Sequence, residues 1–452
     1  MSTAKRAPRW YEGLGALHWT VLAVASAGWV FDVYEGQLFT IFKTPMLAEL
    51  TGGSPAAIEL QGNLGFAAFL LGGAAGGLLF GVLGDRFGRV RIMAVTILVY
   101  SIFSALTAFA QSSLQVHALR FLVALGAGGE WAIAAALVAE TFPAHARARA
   151  SGIFHASSIL GSGLASLTGM VFVGPGSWRW AFLLGLAPAL LVLWIRLSLR
   201  EPDRWTAVRQ SAEGEGKTHA GDVPDADFPS APAAPVLGDL GELFGRGPWR
   251  SRALIGLGLA TVGLATYWGI FAWTPELVGI ILGDRVPATE RQAMGSRVYL
   301  LMNFTGGLLG LLAFAPLASW RGRRFTFAFY QLGAAIVAPV AFLGAGTYVQ
   351  ALWLLPAMAF FVLGMHAGYA IYFPELFPTR LRATGSSFCF NLGRAIGAAI
   401  LLVRGSVRTW LGQHYGPDLG LRYAVVAMAS LFFVGLVFLC FAPETRGQNL
   451  PE

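Results

Sequence analysis

The sequence predicts an all-α integral membrane protein whose twelve spanning helices form two pseudo-symmetric six-helix bundles. Three observations carry that expectation. Hydrophobic residues fill 56% of the 452 positions and charged residues only 12%, which is about half the charged share of a soluble domain. The apolar residues gather into twelve runs, each near the ~20 residues that cross a bilayer as a helix. The charged, glycine-rich motifs between the runs occur twice, at an offset of 234 or 235 residues, the mark of an internal repeat.

The runs cover 17–41, 59–83, 92–111, 114–139, 150–173, 178–199, 253–282, 293–318, 325–345, 348–373, 384–403 and 422–442. The first follows Lys5, Arg6 and Arg9 and contains Ala25-Ser-Ala27, which has the form of a signal-peptide cleavage site. Cleavage there would remove half of a span whose other half carries Asp32 and Glu35, so the run is read as a span. The second holds Gly72/Gly76, Gly73/Gly77 and Gly77/Gly81, small-xxx-small pairs that let helices approach closely. Between the second and third lies Gly81-Val-Leu-Gly-Asp85-Arg86-Phe-Gly-Arg89-Val-Arg91. Such charge density is not tolerated in hydrocarbon, so this is a surface turn, and its arginines place it on the cytoplasmic side. The segment 200–252 has six prolines and the run Asp222-Val-Pro-Asp-Ala-Asp227, as a mobile linker does. Its end, Leu237-Gly-Asp-Leu-Gly-Glu-Leu-Phe244, has helical spacing and is expected on the membrane face. The linker divides the chain into an N-terminal bundle (1–199) and a C-terminal bundle with a short tail (253–452).

The repeat is explicit. Gly72, Gly73, Gly76, Gly88 and Arg89 recur as Gly306, Gly307, Gly310, Gly322 and Arg323, and Glu140-Thr-Phe-Pro143 with Arg147 recurs as Glu375-Leu-Phe-Pro378 with Arg382. With both termini in the cytoplasm, inner loops and tails hold 20 Lys+Arg and outer loops 7, which fixes the orientation. The net charge of +8 is dealt out between the runs, a topological pattern that does not indicate nucleic acid. Cys389 and Cys440 lie in apolar runs and are expected as small buried hydrophobes. No catalytic triad, metal cluster or nucleotide loop is present. Gly126-Ala-Gly128 falls inside a span instead of a strand-to-helix turn. No enzyme and no cofactor are expected.

At this point the motifs resemble the major facilitator superfamily. Gly81-x-Leu-Gly-Asp-Arg-x-Gly-Arg-x-Arg91 resembles its signature loop between spans two and three, and Arg120-Phe-Leu-Val-Ala-Leu-Gly126-Ala-Gly128 its span-four motif. Glu140-x-Phe-Pro-x-x-x-Arg147, Pro374-Glu-Leu-Phe-Pro-Thr-Arg380, Arg200-Glu-Pro-Asp-Arg-Trp205 and Pro443-Glu-Thr-Arg-Gly447 resemble motifs of the sugar-porter and metabolite–proton symporter branch. The order is right and nearly the whole chain is covered. The cavity glutamines of true sugar porters are absent. His155 stands at the span-five position, and spans seven and ten read Gly263-Leu-Ala-Thr-Tyr267-Trp268 and Met365-His366-Ala-Gly-Tyr369. Gly128-Gly-Glu130 and Trp178-Arg-Trp-Ala-Phe-Leu-Leu-Gly-Leu-Ala-Pro188 are instead similar to bacterial proton symporters for organic acids such as sialate, lactate, niacin and aromatic acids.

The resemblance implies a monomeric inner-membrane carrier that moves a small organic anion with protons by alternating access, driven by the proton gradient. A sugar symporter, a drug/proton antiporter and a non-transporting receptor of the same fold are the alternatives. An ionisable group at mid-membrane costs ~3 kcal/mol and needs a reason. Asp32 and Glu35, three apart, share a helical face. By resemblance Asp32 takes up the proton and pairs with Arg120, and a static ion pair is the alternative; Glu35 either shares the proton or contacts solvent in the cavity. Glu130 is a second proton site, a partner of Arg394, or a structural group. Arg394 offers a guanidinium to a substrate carboxylate, or else a salt bridge to a structural acid. Asn391, His155, Tyr267, Trp268, His366 and Tyr369 are the other candidate cavity residues. Span seven is expected to break near Tyr267-Trp268. The resemblance assigns Asp85, Arg86, Arg89, Glu140, Arg147, Arg323, Glu375 and Arg382 to a cytoplasmic gate. Ser319 replaces the acid of the first copy, so that gate is expected to be asymmetric.

Overall fold

A computed structural model of the chain describes residues 9–172, 174, 176–218, 236–245, 247–283 and 286–452. Among these residues the regular structure is helical throughout. Among the described residues, eleven of the twelve expected runs lie in helical stretches long and apolar enough to cross a membrane; the fifth run is also helical, counted as a span by its place in the order, and in several the helix is interrupted. Spans one to four are Ala16–Thr51, Pro55–Phe87, Arg89–Thr107 and Ser113–Thr141. Span five is two pieces, Ala144–Ala156 and Ser158–Val171, and span six is Ser177–Leu183 followed by Ala189–Ser198. Span seven is Pro248–Phe271 and Thr274–Leu282, and span eight is Ala288–Met302 and Leu308–Arg321. Spans nine and ten are Arg323–Gly344 and Tyr348–Val362 with His366–Leu376. Spans eleven and twelve are Arg382–Ser387 with Gly393–Tyr415, and Pro417–Ala429 with Leu431–Phe441.

The interruptions have local causes. Span seven breaks just before Pro275, whose ring fits the first turn of the following helix; the break lies a turn beyond Tyr267-Trp268. Span five breaks at Ser157, and the Trp29 Nε1 donates to the buried His155 carbonyl at 3.2 Å, which satisfies a backbone group that lipid could not. Spans eight and eleven each contain a single π turn, Asn303–Gly307 and Phe388–Leu392. No periodicity in the sequence signals them.

Both ends of the described residues lie on one face, called the terminal face below. The Glu12 carbonyl meets His145 Nε2 (3.1 Å) between spans four and five, and the Pro451 carbonyl accepts from Arg382 (3.2 Å). The repeated motifs turn there too. Gly88 and Gly322 have φ of +111° and +97°, a region closed to most side chains. A Cβ at either glycine would collide with a carboxylate, that of Glu201 or of Glu444. Those carboxylates cap the helices that follow. Glu201 accepts from Val90 N (3.2 Å) and Arg91 N (3.1 Å), and Glu444 from Arg323 N (2.9 Å) and Arg324 N (3.1 Å). An acid at a helix N-terminus is stabilised by the orphan amides and the helix dipole.

The structure adds detail at three places. The segment after span six contains a helix, Asp203–Thr218, anchored where Trp205 Nε1 donates to the Asp85 carbonyl at 2.7 Å; Asp222-Val-Pro-Asp-Ala-Asp227 lies outside the described residues. The short helix Leu240–Phe244 is held to the second half, where Glu242 pairs with Arg380 (2.7 Å) and Phe244 meets Phe388 edge-on. Cys440 is exposed whereas Cys389 is buried, so only one fills the core.

Candidate functional site

Two layers of charge lie between the halves. At the terminal face every expected gate residue has a partner. Arg89 pairs with Asp85 and with Glu140, both at 2.9 Å, and donates to the Thr379 carbonyl (2.7 Å) of the opposite half. Glu140 also takes Arg382 across the seam at 2.7 Å. Asp85 crosses as well, accepting from Ala383 N (3.1 Å), Thr384 N (2.8 Å) and Thr384 Oγ1 (2.6 Å) at the start of span eleven. Arg86 is exposed and donates to the Leu237 carbonyl (3.1 Å).

The second half repeats this bonding within itself. Arg323 binds both oxygens of Glu375 (3.0 and 2.7 Å) and the Ala318 carbonyl, as Arg89 binds the Gly84 carbonyl. Arg147 and Arg382 each donate Nε to a carbonyl eight residues back at 2.9 Å. The crossing contacts differ. Arg147 reaches Glu375 of the other half only as an electrostatic neighbour, and Ser319 turns back to the Ala315 carbonyl (2.9 Å). The seam between spans two and eleven is therefore locked by hydrogen-bonded ions, and the seam between spans five and eight is not.

The middle layer is different in kind. Arg394 begins just after the π turn of span eleven and faces Gly73 of span two, where a Cβ would overlap its Nη2. Its Nη2 donates to Asn391 Oδ1 at 3.0 Å, while its Nε has no partner. Asn391 is held in turn by the Gly128 carbonyl (2.8 Å) and Ser387 Oγ (3.1 Å) and occupies the space that a Cβ on Gly77 would need. The glycine stripe of span two therefore serves two neighbours. Gly72 and Gly76 admit the span-four backbone, and Gly73 and Gly77 admit Arg394 and Asn391 from the other half.

The acids of the first half do not pair as the resemblance implied. Arg120 is buried, its Nη1 reaches the Glu35 carbonyl oxygen at 3.4 Å, and it lies 4.6 Å and 4.1 Å from the rings of Phe39 and Phe69. Its electrostatic partner is Glu35, and that of Asp32 is Arg394. Phe69 stands between the two guanidiniums, 5.9 Å from Arg394, where the ring face stabilises a cation. Glu130 does not meet Arg394. It packs against Gly28 of span one, within reach of Asp32, and neither of its oxygens has a partner.

The remaining candidates divide. His155 Nδ1 accepts from Trp131 Nε1 (3.1 Å), and the Trp131 ring stacks on Phe390 of the other half at 4.0 Å. Tyr267 lies edge-on to His366 (5.1 Å), whose Nε2 has no partner, and Trp268 is 41% exposed beside it. Tyr369 belongs to the core. It is fully buried, stacks on Phe327 and Phe373, and donates to the Leu259 carbonyl (2.9 Å). Sequence reasoning missed Trp29, Trp131, Phe69 and Ser104. An aromatic next to an intramembrane acid was the available signal for Trp131; a lone hydroxyl in a span gave none for Ser104.

Twelve spans in two repeated halves, with single charges buried where the halves meet, define a secondary transporter. The chain belongs to the Major Facilitator Superfamily, which matches residues 20–402. It is 31% identical over 455 residues to a probable 4-methylmuconolactone transporter of Cupriavidus pinatubonensis, covering 98% of this chain and 95% of that protein. It is 30% identical over 448 residues to the niacin transporter NiaP of Acinetobacter baylyi, covering 97% and 96%. The solved proton:xylose symporter XylE has the same fold, with a TM-score of 0.74 at 17% identity over 96% of this chain and 98% of that one.

Proposed function

We propose that the protein imports a small organic anion together with protons by alternating access, its terminal face being cytoplasmic. The substrate is a carboxylate on a compact unsaturated or aromatic frame, the chemistry shared by niacin and related ring acids. The observation that carries this reading is Arg394. It is a guanidinium at mid-membrane on the seam between the halves, hydrogen-bonded to a neutral amide, with Nε unpaired. A carboxylate is the ligand its planar fork fits. Trp131, Phe390, Tyr267 and His366 supply ring faces around the same level. A sugar is a poorer fit, because Asn391 and His155 are already engaged.

Asp32 is the coupling acid. It answers Arg394, so a substrate carboxylate that takes the guanidinium leaves Asp32 without its cation, and a buried acid in that position binds a proton. Substrate and proton then load together. The test is uptake into proteoliposomes of nicotinate, benzoate, muconate, lactate, sialate and hexoses. Ring or unsaturated acids are expected to accumulate and hexoses are not; accumulation of a hexose with no response to Arg394→Ala would overturn the assignment.

A further inference from the structure

Two buried histidines, one from each half, come to the same level of the seam. His155 lies in the last turn of Ala144–Ala156 in span five, and His366 opens His366–Leu376 in span ten. These two helices pack directly on each other. At their terminal-face ends Arg147 and Glu375 are electrostatic neighbours. His155 lies eight residues further in than Arg147, and His366 nine further in than Glu375, which is about 12 and 14 Å at the helical rise. The two rings therefore arrive at one depth, where they are electrostatic neighbours in turn. The anion site is adjacent. Trp131, which holds His155, stacks on Phe390 at 4.0 Å, and Phe390 precedes Arg394 by about one turn of span eleven. Tyr267 and Tyr369 enclose His366, with ring centroids at 5.1 and 5.3 Å.

Hydrogen bonds fix opposite tautomers on the two rings. A neutral imidazole has one N–H, and the partner of one nitrogen decides which nitrogen carries it. The Trp131 indole can only donate. His155 Nδ1, which takes that bond at 3.1 Å, is therefore bare, and the proton is on Nε2. The Leu363 carbonyl can only accept, so His366 Nδ1, 3.2 Å from it, carries the proton. His366 is 4% exposed and its Nε2 has no partner. A second proton there would leave a buried, unpaired cation, far costlier than the neutral ring, so Nε2 holds a lone pair. One ring offers an N–H and the other a lone pair with no donor. A buried acceptor left without a donor is itself destabilising, and it points to a ligand that donates. A hydroxyl answers both rings, because it accepts and donates at one oxygen. A second carboxylate or a pyridine nitrogen could accept from His155 but would bring nothing to His366.

We propose that His155 and His366 together read a substrate hydroxyl, His155 Nε2–H donating to its oxygen and His366 Nε2 accepting from it, so that the preferred cargo is a ring acid bearing a hydroxyl away from its carboxylate. This rests on the ring-acid reading of Arg394 above. The test compares near-isosteric acids for uptake into proteoliposomes under an inward pH gradient: meta- and para-hydroxybenzoate, each against the fluorobenzoate of the same position. Fluorine is close to hydroxyl in size and donates nothing. At the better position the wild-type kcat/KM should favour the hydroxy acid at least about tenfold, because the fluoro acid leaves a buried acceptor unpaired. His366→Phe should bring that ratio to within about twofold of one. Trp131 is a positioning residue, so Trp131→Phe, which frees His155 to change tautomer, should lower the ratio about threefold or more. A wild-type ratio near one at both positions, or a His366→Phe variant that keeps the wild-type ratio, overturns the hydroxyl subsite and leaves the anion site standing. If His366→Phe carries neither acid, the wild-type ratio and Trp131→Phe decide. Uptake of none of these acids by the wild type would overturn the ring-acid reading itself, and this proposal with it.

Discussion

The terminal-face layer and the mid-membrane layer are built from the same residue types and bonded to different extents, although Glu140 Oε2 and Arg89 Nε of the first layer also lack a partner. Around Glu140 two arginines share one carboxylate within 2.7–2.9 Å, and Asp85 closes on three donors of the other half. In the middle, Glu130 has no partner, Glu35 and Arg120 are in part unsatisfied, and Arg394 leans on a neutral amide. Satisfied ions rigidify a contact, whereas unsatisfied ones are sites where a proton or a ligand changes the balance. On the proposed reading, the first layer decides which face is open and the second is where cargo and proton are read.

Four substitutions probe that division, in descending order of effect. Arg394→Ala removes the guanidinium proposed to receive the anion; truncating one partner of such a pair costs ~2–5 kcal/mol, so kcat/KM for uptake should fall at least about 30-fold, with Arg394→Lys also impaired because the bidentate fit is lost. Glu140→Gln leaves Arg89 and Arg382 short of their shared anion; breaking a buried pair costs ~3 kcal/mol or more, which should appear as a lowered Tm and as labelling of new cysteines along the terminal-face ends of spans two and eleven. Asp85→Asn keeps the shape but loses charge-assisted bonds, a shift of about 1–2 kcal/mol toward the open terminal face by the same labelling. Ser319→Asp supplies the acid that the second copy lacks; facing the start of span five, it should favour the closed gate by about 0.5–1 kcal/mol and slow uptake modestly. If Glu140→Gln left the labelling unchanged while Arg394→Ala exposed the terminal face, the roles of the two layers would be reversed.

Much of this arrangement was legible beforehand, for definable reasons. Hydropathy and the 234-residue repeat place the spans, and the repeated Gly-Arg turn places Asp85, Arg89 and Arg323 on one face. The doubled motif at 140–147 and 375–382 matches bonding that is doubled down to the carbonyl eight residues back from each arginine. What escaped was pairing across the seam. Asp85 and Thr384 lie 299 residues apart, and no local pattern says which half an acid will face. The π turn at Phe388–Leu392 shifts the helix face just before Arg394, so helical spacing could not show that Arg394 would sit over Gly73 or that Asp32 would answer it in place of Arg120. Tyr369, a candidate cavity residue by sequence, instead donates its hydroxyl to span seven at the Leu259 carbonyl.

The most direct test of the central claim records substrate and proton together. Purified protein in proteoliposomes is given an inward pH gradient and nicotinate, and uptake is followed alongside internal pH in the wild type and in Asp32→Asn. The account predicts uphill nicotinate accumulation with matching acidification in the wild type, and in Asp32→Asn no accumulation beyond equilibration. Uphill accumulation that persists in Asp32→Asn, or wild-type uptake without proton entry, would contradict it.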